Sequence, residues 1–462
     1  MSLRELLLFG ALAALIVIVP RRPVIGAYAW VVFGVMNPHR LAWGAAYDFP
    51  FSQAIAILTL VGLLLTKEHR HWKGGGAIVV LLVFFAWTGL TTLFAFDSAS
   101  AIAYWQTVLK NYLMTIVLMT LVHTRKQVII LVSVLAFSLG FYGVKGGLFV
   151  LATGGQYMVN GPPDGPMHGN NSLGVGLTVV LALMYFLLQQ SRHWLLRWGM
   201  TLSMAMCSVA ILGTYSRGAM LAIAAAGALL WLRGRHKFIM MIGILAFALA
   251  AIPAMPEAWV NKISTLKTYE EDGSAMGRLI AWETAYNIAV DKFPLAGGFS
   301  WDSRETSRRY SPDPNVVLVP HSIYFQVLGT QGFIGLSLYL LFWMLVWSQA
   351  NWLRKHGALR PDLEWARSLG SMMQVALIGY FVGGAFLDLA FWELAYYLFA
   401  VVATAKYVVR KALSAGGAVG SRQSPGIVPT APGQGPTQGH PASNRPAPVV
   451  PDRPRPALRR PP

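Results

Sequence analysis

Four basic or titratable side chains stand where an apolar chain seldom puts a charge. Arg217 lies in Thr214-Tyr-Ser-Arg-Gly218, between two charge-free runs. A guanidinium presents a rigid fork of N–H donors that suits phosphate oxygens. The same placing also fits an interfacial arginine that snorkels to lipid headgroups. Arg278 lies in Ser274-Ala-Met-Gly-Arg-Leu-Ile-Ala-Trp282, at the start of an amphipathic stretch. Alone it reads as a solvated arginine; paired with Arg217 it makes a diphosphate clamp. Lys145, in Phe141-Tyr-Gly-Val-Lys-Gly-Gly147, adds a point charge beside glycines that let backbone approach closely. A lysine snorkelling at a helix end is the plainer reading. His321 lies in Pro320-His-Ser-Ile-Tyr-Phe-Gln-Val-Leu-Gly329, at the mouth of an apolar run. There it acts either as a general base or donor near neutral pH, or as a helix cap touching headgroups. Lys110, Asp48, Asp388 and Glu393 are further polar candidates.

Other chemistries lack their signatures. The chain has no Walker loop, no dinucleotide glycine fingerprint, no His-Glu-x-x-His and no Gly-x-Ser-x-Gly. Neither is there an acidic pair of the kind that metal-dependent glycosyltransferases use. Nucleotide, nicotinamide and zinc chemistry are therefore not expected, and no cofactor is assigned. The one cysteine, Cys207, excludes an internal disulfide and sits in an apolar run as a small buried side chain.

These residues must be held by membrane helices. The chain has 462 residues, 55% hydrophobic and 12% charged, against about 25% charged in a soluble domain. Residues 74–96, 198–216, 238–256 and 368–387 carry no charge at all. Each is near the roughly 20 apolar residues that cross a bilayer. The pattern predicts an all-α polytopic protein of about twelve or thirteen spans. They fall near 4–20, 24–37, 51–66, 77–95, 104–122, 127–150, 172–190, 195–213, 218–232, 238–254, 322–350, 368–386 and 391–409. The first two are short, and they form either two tilted passes or one crossing. Residues 20–23, Pro-Arg-Arg-Pro, offer no cleavage site, so the first segment reads as retained.

The formal charge of +18 follows the same layout. Arg21, Arg22, Lys67, Arg70, Lys73, Arg125, Lys126, Arg192, Arg197, Arg233, Arg235, Lys237, Arg354, Lys355, Arg360, Arg367, Lys406, Arg410 and Lys411 fall on one side by alternation. By the positive-inside bias that side is cytoplasmic, and the charge needs no nucleic-acid partner. The long loop 255–320 then faces the periplasm. Residues 1–412 form the membrane domain. The Pro/Gly/Arg-rich stretch 413–462 cannot bury a core and is expected to be disordered.

The motifs in their order resemble the O-antigen ligase/polymerase superfamily. The nearest likeness is to the O-glycosylation ligases that accompany exosortase A systems. The resemblance is carried by Met36-Asn-Pro-His-Arg-Leu41 with Tyr47-Asp-Phe-Pro50, by residues 138–149, by Gly161-Pro-Pro163 with Asn170-Asn171, and by Tyr215-Ser-Arg-Gly218. Residues 269–282 and His321 to Gly335 complete it; the likeness covers residues 1–410. It implies a GT-C-like helical fold in the bacterial inner membrane. It also implies transfer of a glycan from undecaprenyl diphosphate to an acceptor hydroxyl, on a protein or on lipid A-core, at the periplasmic face. His321 matches the family's histidine, and Arg217 and Arg278 match its essential arginines. One departure is Thr330-Gln331, where the family pattern leads one to expect an acid. A polymerase that uses a second lipid-linked glycan as acceptor would carry the same residues. A transporter is the other alternative, although the chain lacks the paired halves common there.

Overall fold

The computed structural model describes residues 2–66, 73–163, 165–234 and 273–420. The expected span at 238–254, the motif residues 269–272, Lys67, Arg70, Arg235, Lys237 and the tail beyond 420 lie outside the described residues. The chain divides into Met1–Ala415 and Gly416–Pro462. Of the second unit, only the end of the last helix falls within the described residues.

The protein is an all-helical, polytopic membrane protein. In chain order the main helices are α1 (Leu3–Ile18), α2 (Pro23–Val35), α3 (Phe51–Leu65), α4 (Gly76–Leu93) and α5 (Ser98–Leu121). Then come α6 (Arg125–Ala152), α7 (Asn170–Gln190), α8 (Trp194–Gly213) and α9 (Arg217–Arg233). Last are α10 (Gly273–Asp291), α11 (Arg304–Tyr310), α12 (Ile323–Gly357), α13 (Glu364–Gly384) and α14 (Glu393–Gly420). Among the described residues there is no strand. Among the described residues, five helices, α4, α6, α7, α8 and α12, are long and apolar enough to cross a membrane on their own. The 13-residue α2 is only about 20 Å long at 1.5 Å per residue.

Polar residues set the helix starts. Ser2 and Glu5 form a capping box on α1, and Thr124 and Gln127 form another on α6. Asp97 accepts from the Ser100 amide at 3.1 Å and starts α5 earlier than its hydropathy shows.

The first two helices run antiparallel. Arg4 donates to the Leu41 carbonyl at 2.7 Å, so the start of α1 meets the segment that follows α2. The two lie side by side rather than end to end. The helices then sort their ends into two groups. One end gathers Lys73, Arg125, Arg197, Arg233, Arg354, Arg360 and Arg410. Several of these cap helices: the Lys73 ammonium donates to the carbonyls of Met119 at 2.7 Å and Val122 at 2.8 Å, closing α5. The other end gathers Arg217, Arg278 and His321, with Lys145 about two turns before the end of α6.

Two features bring the helices together at that second end. The first is α14, whose residues from Leu394 to Val402 are buried on every face. A helix apolar all round belongs in the centre of a bundle. The second is a break in α12. At Gly332 the backbone takes φ 69°, ψ −171°, inside a run of 35 residues. A break frees carbonyls, and in an apolar interior each must be satisfied. Here Gly297 and Gly298 donate their amides to Gly329 O at 3.0 Å and Thr330 O at 3.1 Å. Trp87 donates its indole N–H to Gln331 O at 2.9 Å. The Thr91 hydroxyl donates to the Gln331 side-chain carbonyl, and the Thr330 hydroxyl donates to Gln326 O at 2.7 Å. Thr330 and Gln331, the departure from the family pattern, thus serve the break itself.

Candidate active site

His321 occupies the residue before the Ser322 cap of α12 and adopts φ +44°. The left-handed region is uncommon for a residue with a Cβ, and such conformations gather at functional sites. The turn aims the imidazole at Asp388, with Nδ1 2.7 Å from Oδ2. An imidazole whose Nδ1 faces a carboxylate keeps its proton on that nitrogen, which leaves the Nε2 lone pair outward. The His321 side chain is 52% exposed and that of Asp388 22%. The second Asp388 oxygen, Oδ1, is buried and has no hydrogen-bond partner among the described residues.

The loop that carries Asp388 is bonded from four helices. Tyr380 donates to Leu389 O at 2.9 Å, and Tyr396 donates to Ala390 O at 2.9 Å. Asn111 donates to Phe391 O at 3.1 Å. The Ala390 amide donates to the side-chain oxygen of Gln326 at 3.0 Å. Behind them, Tyr339 and Tyr380 share a hydrogen bond of 2.8 Å, and Tyr112 donates to Tyr396 at 3.2 Å. Buried hydroxyls with partners fix geometry, whereas one without a partner would destabilise the fold.

Both arginines reach the same end. Arg278 sits near the start of α10, and Gly277 beside it packs on Leu318. One turn later Trp282 donates to Pro320 O at 2.7 Å and stacks on Phe325 at 4.8 Å between centroids. Helix α10 is therefore clamped to the turn that carries His321. Arg217 is the first residue of α9, after the Ser216 cap, which accepts from the Ala219 amide at 3.2 Å. Its neighbour Gly218 faces Phe386, two residues from Asp388. Tyr215, at φ +54°, bonds Gly155 O, and Asn170 donates to Thr214 O at 2.7 Å. Lys145 is placed otherwise. It is exposed on a face of α6 that also exposes Phe141, Leu148 and Phe149. The glycines after it serve helix packing: a Cβ on Gly147 would lie 2.2 Å from Met206 O of α8.

Asp388 also lies on a cavity of about 840 Å³, walled by α2, α3, α5 and the start of α14. Trp30, Asn37, Tyr104, Lys110, Asn111 and Glu393 line it. Asp302, in the segment before α11, keeps its proton to higher pH than an ordinary aspartate, through burial and then the field of Asp388. Among the described residues, no three His, Cys, Asp or Glu side chains converge as a metal site requires.

Sequence reasoning ranked Asp388 among minor candidates and gave Gln326 no role. An acid between two apolar helices was the available signal for Asp388. A glutamine on an apolar helix gives none.

Residues 202–340 match the family described as O-Antigen ligase. The chain carries an O-antigen ligase family domain. The matched stretch contains Arg217, Arg278 and His321 and ends before Asp388. Residues 3–169, with Lys110 and Lys145, match a family of unknown function (DUF5935). No curated protein matches the chain. Among solved structures, a chain from work on the structural coordination of polymerization and crosslinking by a peptidoglycan synthase complex is similar. The likeness covers 74% of this chain and 98% of that one, at 14% identity and a TM-score of 0.39.

Proposed function

We propose that this membrane protein transfers a glycan from undecaprenyl diphosphate to an acceptor hydroxyl, on a protein or a lipid A-core sugar. The observation that carries the reading is the His321–Asp388 pair of 2.7 Å, built on a ligase domain that also holds Arg217 and Arg278. The acceptor hydroxyl gives its proton to His321 Nε2 as its oxygen attacks the anomeric carbon. Asp388 holds the ring and stabilises the imidazolium. The bond from the anomeric carbon to the diphosphate oxygen breaks, and undecaprenyl diphosphate leaves with the electron pair. Arg217 and Arg278 take up its charge, the part a metal ion plays in other transferases. Lys145, on an exposed face of α6 with Phe141, Leu148 and Phe149, adds a third positive charge for the donor diphosphate. The site lies at the end opposite the gathered cations, which supports a periplasmic site in the inner membrane.

The test uses purified protein in lipid, an undecaprenyl-diphosphate glycan and candidate acceptors. Released undecaprenyl diphosphate and glycosylated product are followed with and without a chelator. The reading requires transfer by wild type in chelator, and its loss in folded His321→Ala and Arg217→Ala. Transfer only onto a second lipid-linked glycan would replace the ligase reading with a polymerase. Undiminished transfer by both variants would remove the site assignment.

A further inference from the structure

We infer that Gln326 is a positioning residue that sets the His321–Asp388 pair, and so the orientation of the imidazole in the reaction proposed above. The inference rests on that reading for its kinetic consequence but not for its structural one. His321 and Asp388 belong to segments far apart in the chain, so their separation depends on whatever ties the two segments together. Ile323 meets Gly384 there in an apolar contact that fixes no direction. Gln326 adds a directed bond. It sits on α12 a little over one turn after His321, and its own amide donates to Ser322 O at 2.7 Å. Its side-chain oxygen accepts from the Ala390 amide at 3.0 Å, two residues beyond Asp388. Tyr104, a residue of the cavity wall, stands beside it.

The Gln326 oxygen joins the helix of His321 to the loop of Asp388. Beside it the Tyr104 ring of α5 packs on Phe299 at 4.8 Å and on Phe391 at 6.2 Å, against the same loop. Without Gln326 the Ala390 amide loses its acceptor in a buried loop, which costs more than the bond itself. The loop would then move to find another partner, and Asp388 would move with it. A displacement of about 1 Å in a supporting group is enough to lower a rate roughly a hundredfold.

Two variants separate positioning from general support. Gln326→Leu removes the side-chain acceptor at similar volume. Gln326→Glu keeps an acceptor for the Ala390 amide. The first readout is independent of glycan transfer. In protein labelled with 15N-histidine, the Nδ1–H proton held by Asp388 gives a downfield signal, assigned by its loss in His321→Gln and Asp388→Asn. That signal is expected to vanish in Gln326→Leu and return in Gln326→Glu. The second readout is transfer kinetics: kcat falls at least tenfold in Gln326→Leu with KM for the lipid-linked donor little changed, and recovers in Gln326→Glu. Persistence of the Nδ1–H signal and of kcat in Gln326→Leu overturns the inference. So does a parallel loss in both variants, which marks Gln326 as structural only. If wild type transfers no glycan but the signal still follows Gln326, the positioning role stands and the transferase reading falls.

Discussion

Trp282 donates its indole N–H to the carbonyl of Pro320 at 2.7 Å, and the next residue in the chain is His321. One bond thus links the helix that carries Arg278 to the strained turn that aims the histidine. Trp282→Phe keeps the stack on Phe325 and removes the bond. The expected result is a stability loss of about 1 kcal/mol and a fall in transfer of roughly tenfold or more, through misalignment. Thermal melts in detergent, read beside transfer rates, check both. A rate unchanged from wild type would mean that the turn holds itself.

The break in α12 makes a sharper demand. Gly332 lies at φ +69°, and a Cβ there would sit 2.6 Å from Leu295 O. Gly332→Ala therefore meets both backbone strain and a clash with backbone. Strain alone costs on the order of 1–3 kcal/mol. The variant is expected to melt well below wild type, and limited proteolysis should cut the 294–298 segment sooner. An unchanged melt and cleavage pattern would mean that the break can be straightened.

Much of this fold could be read before any coordinates, for physical reasons that also mark where reading stopped. Apolar runs expected at 77–95, 127–150 and 195–213 are helices Gly76–Leu93, Arg125–Ala152 and Trp194–Gly213. Hydropathy finds such spans because lipid allows little else there. It placed the start of α5 at 104, whereas the helix begins at Ser98 under the Asp97 cap, in a polar first turn. His321, Arg217 and Arg278 stood out as basic or titratable groups at the edges of apolar runs. The pairing of His321 with Asp388 did not, because nothing local in a sequence encodes a contact between its distant parts. Gln326 was invisible for the same reason. The glycines after Lys145 suggested close approach and do provide it, but to α8 rather than to a ligand.

Lys73 supplies a contrast at the far end of the bundle. Its buried ammonium closes α5 through Met119 O and Val122 O, and burial draws it down to about 8. Lys73→Met keeps the length of the side chain and leaves those carbonyls without their donor. The expected cost is about 1–3 kcal/mol, seen as a lower melting temperature. Transfer per folded molecule should not change, because the site lies at the other end. A selective loss of kcat at normal stability would show that the two ends are coupled.

Asp302 gives a prediction whose sign depends on pH. Burial and the nearby Asp388 carboxylate raise its titration above the usual range in the folded protein. The folded state therefore holds this proton more tightly than the unfolded chain does. Stability from this group is complete below its unfolded value of about 3.9, and it is lost as pH rises through the folded value. Asparagine mimics the protonated form at every pH. Asp302→Asn should thus melt level with wild type near pH 4 and above it near pH 7, with the gap opening between. Melts of both proteins across that range decide it. A gap that is constant with pH, or one that closes as pH rises, would show that Asp302 does not titrate above the usual range in the folded protein.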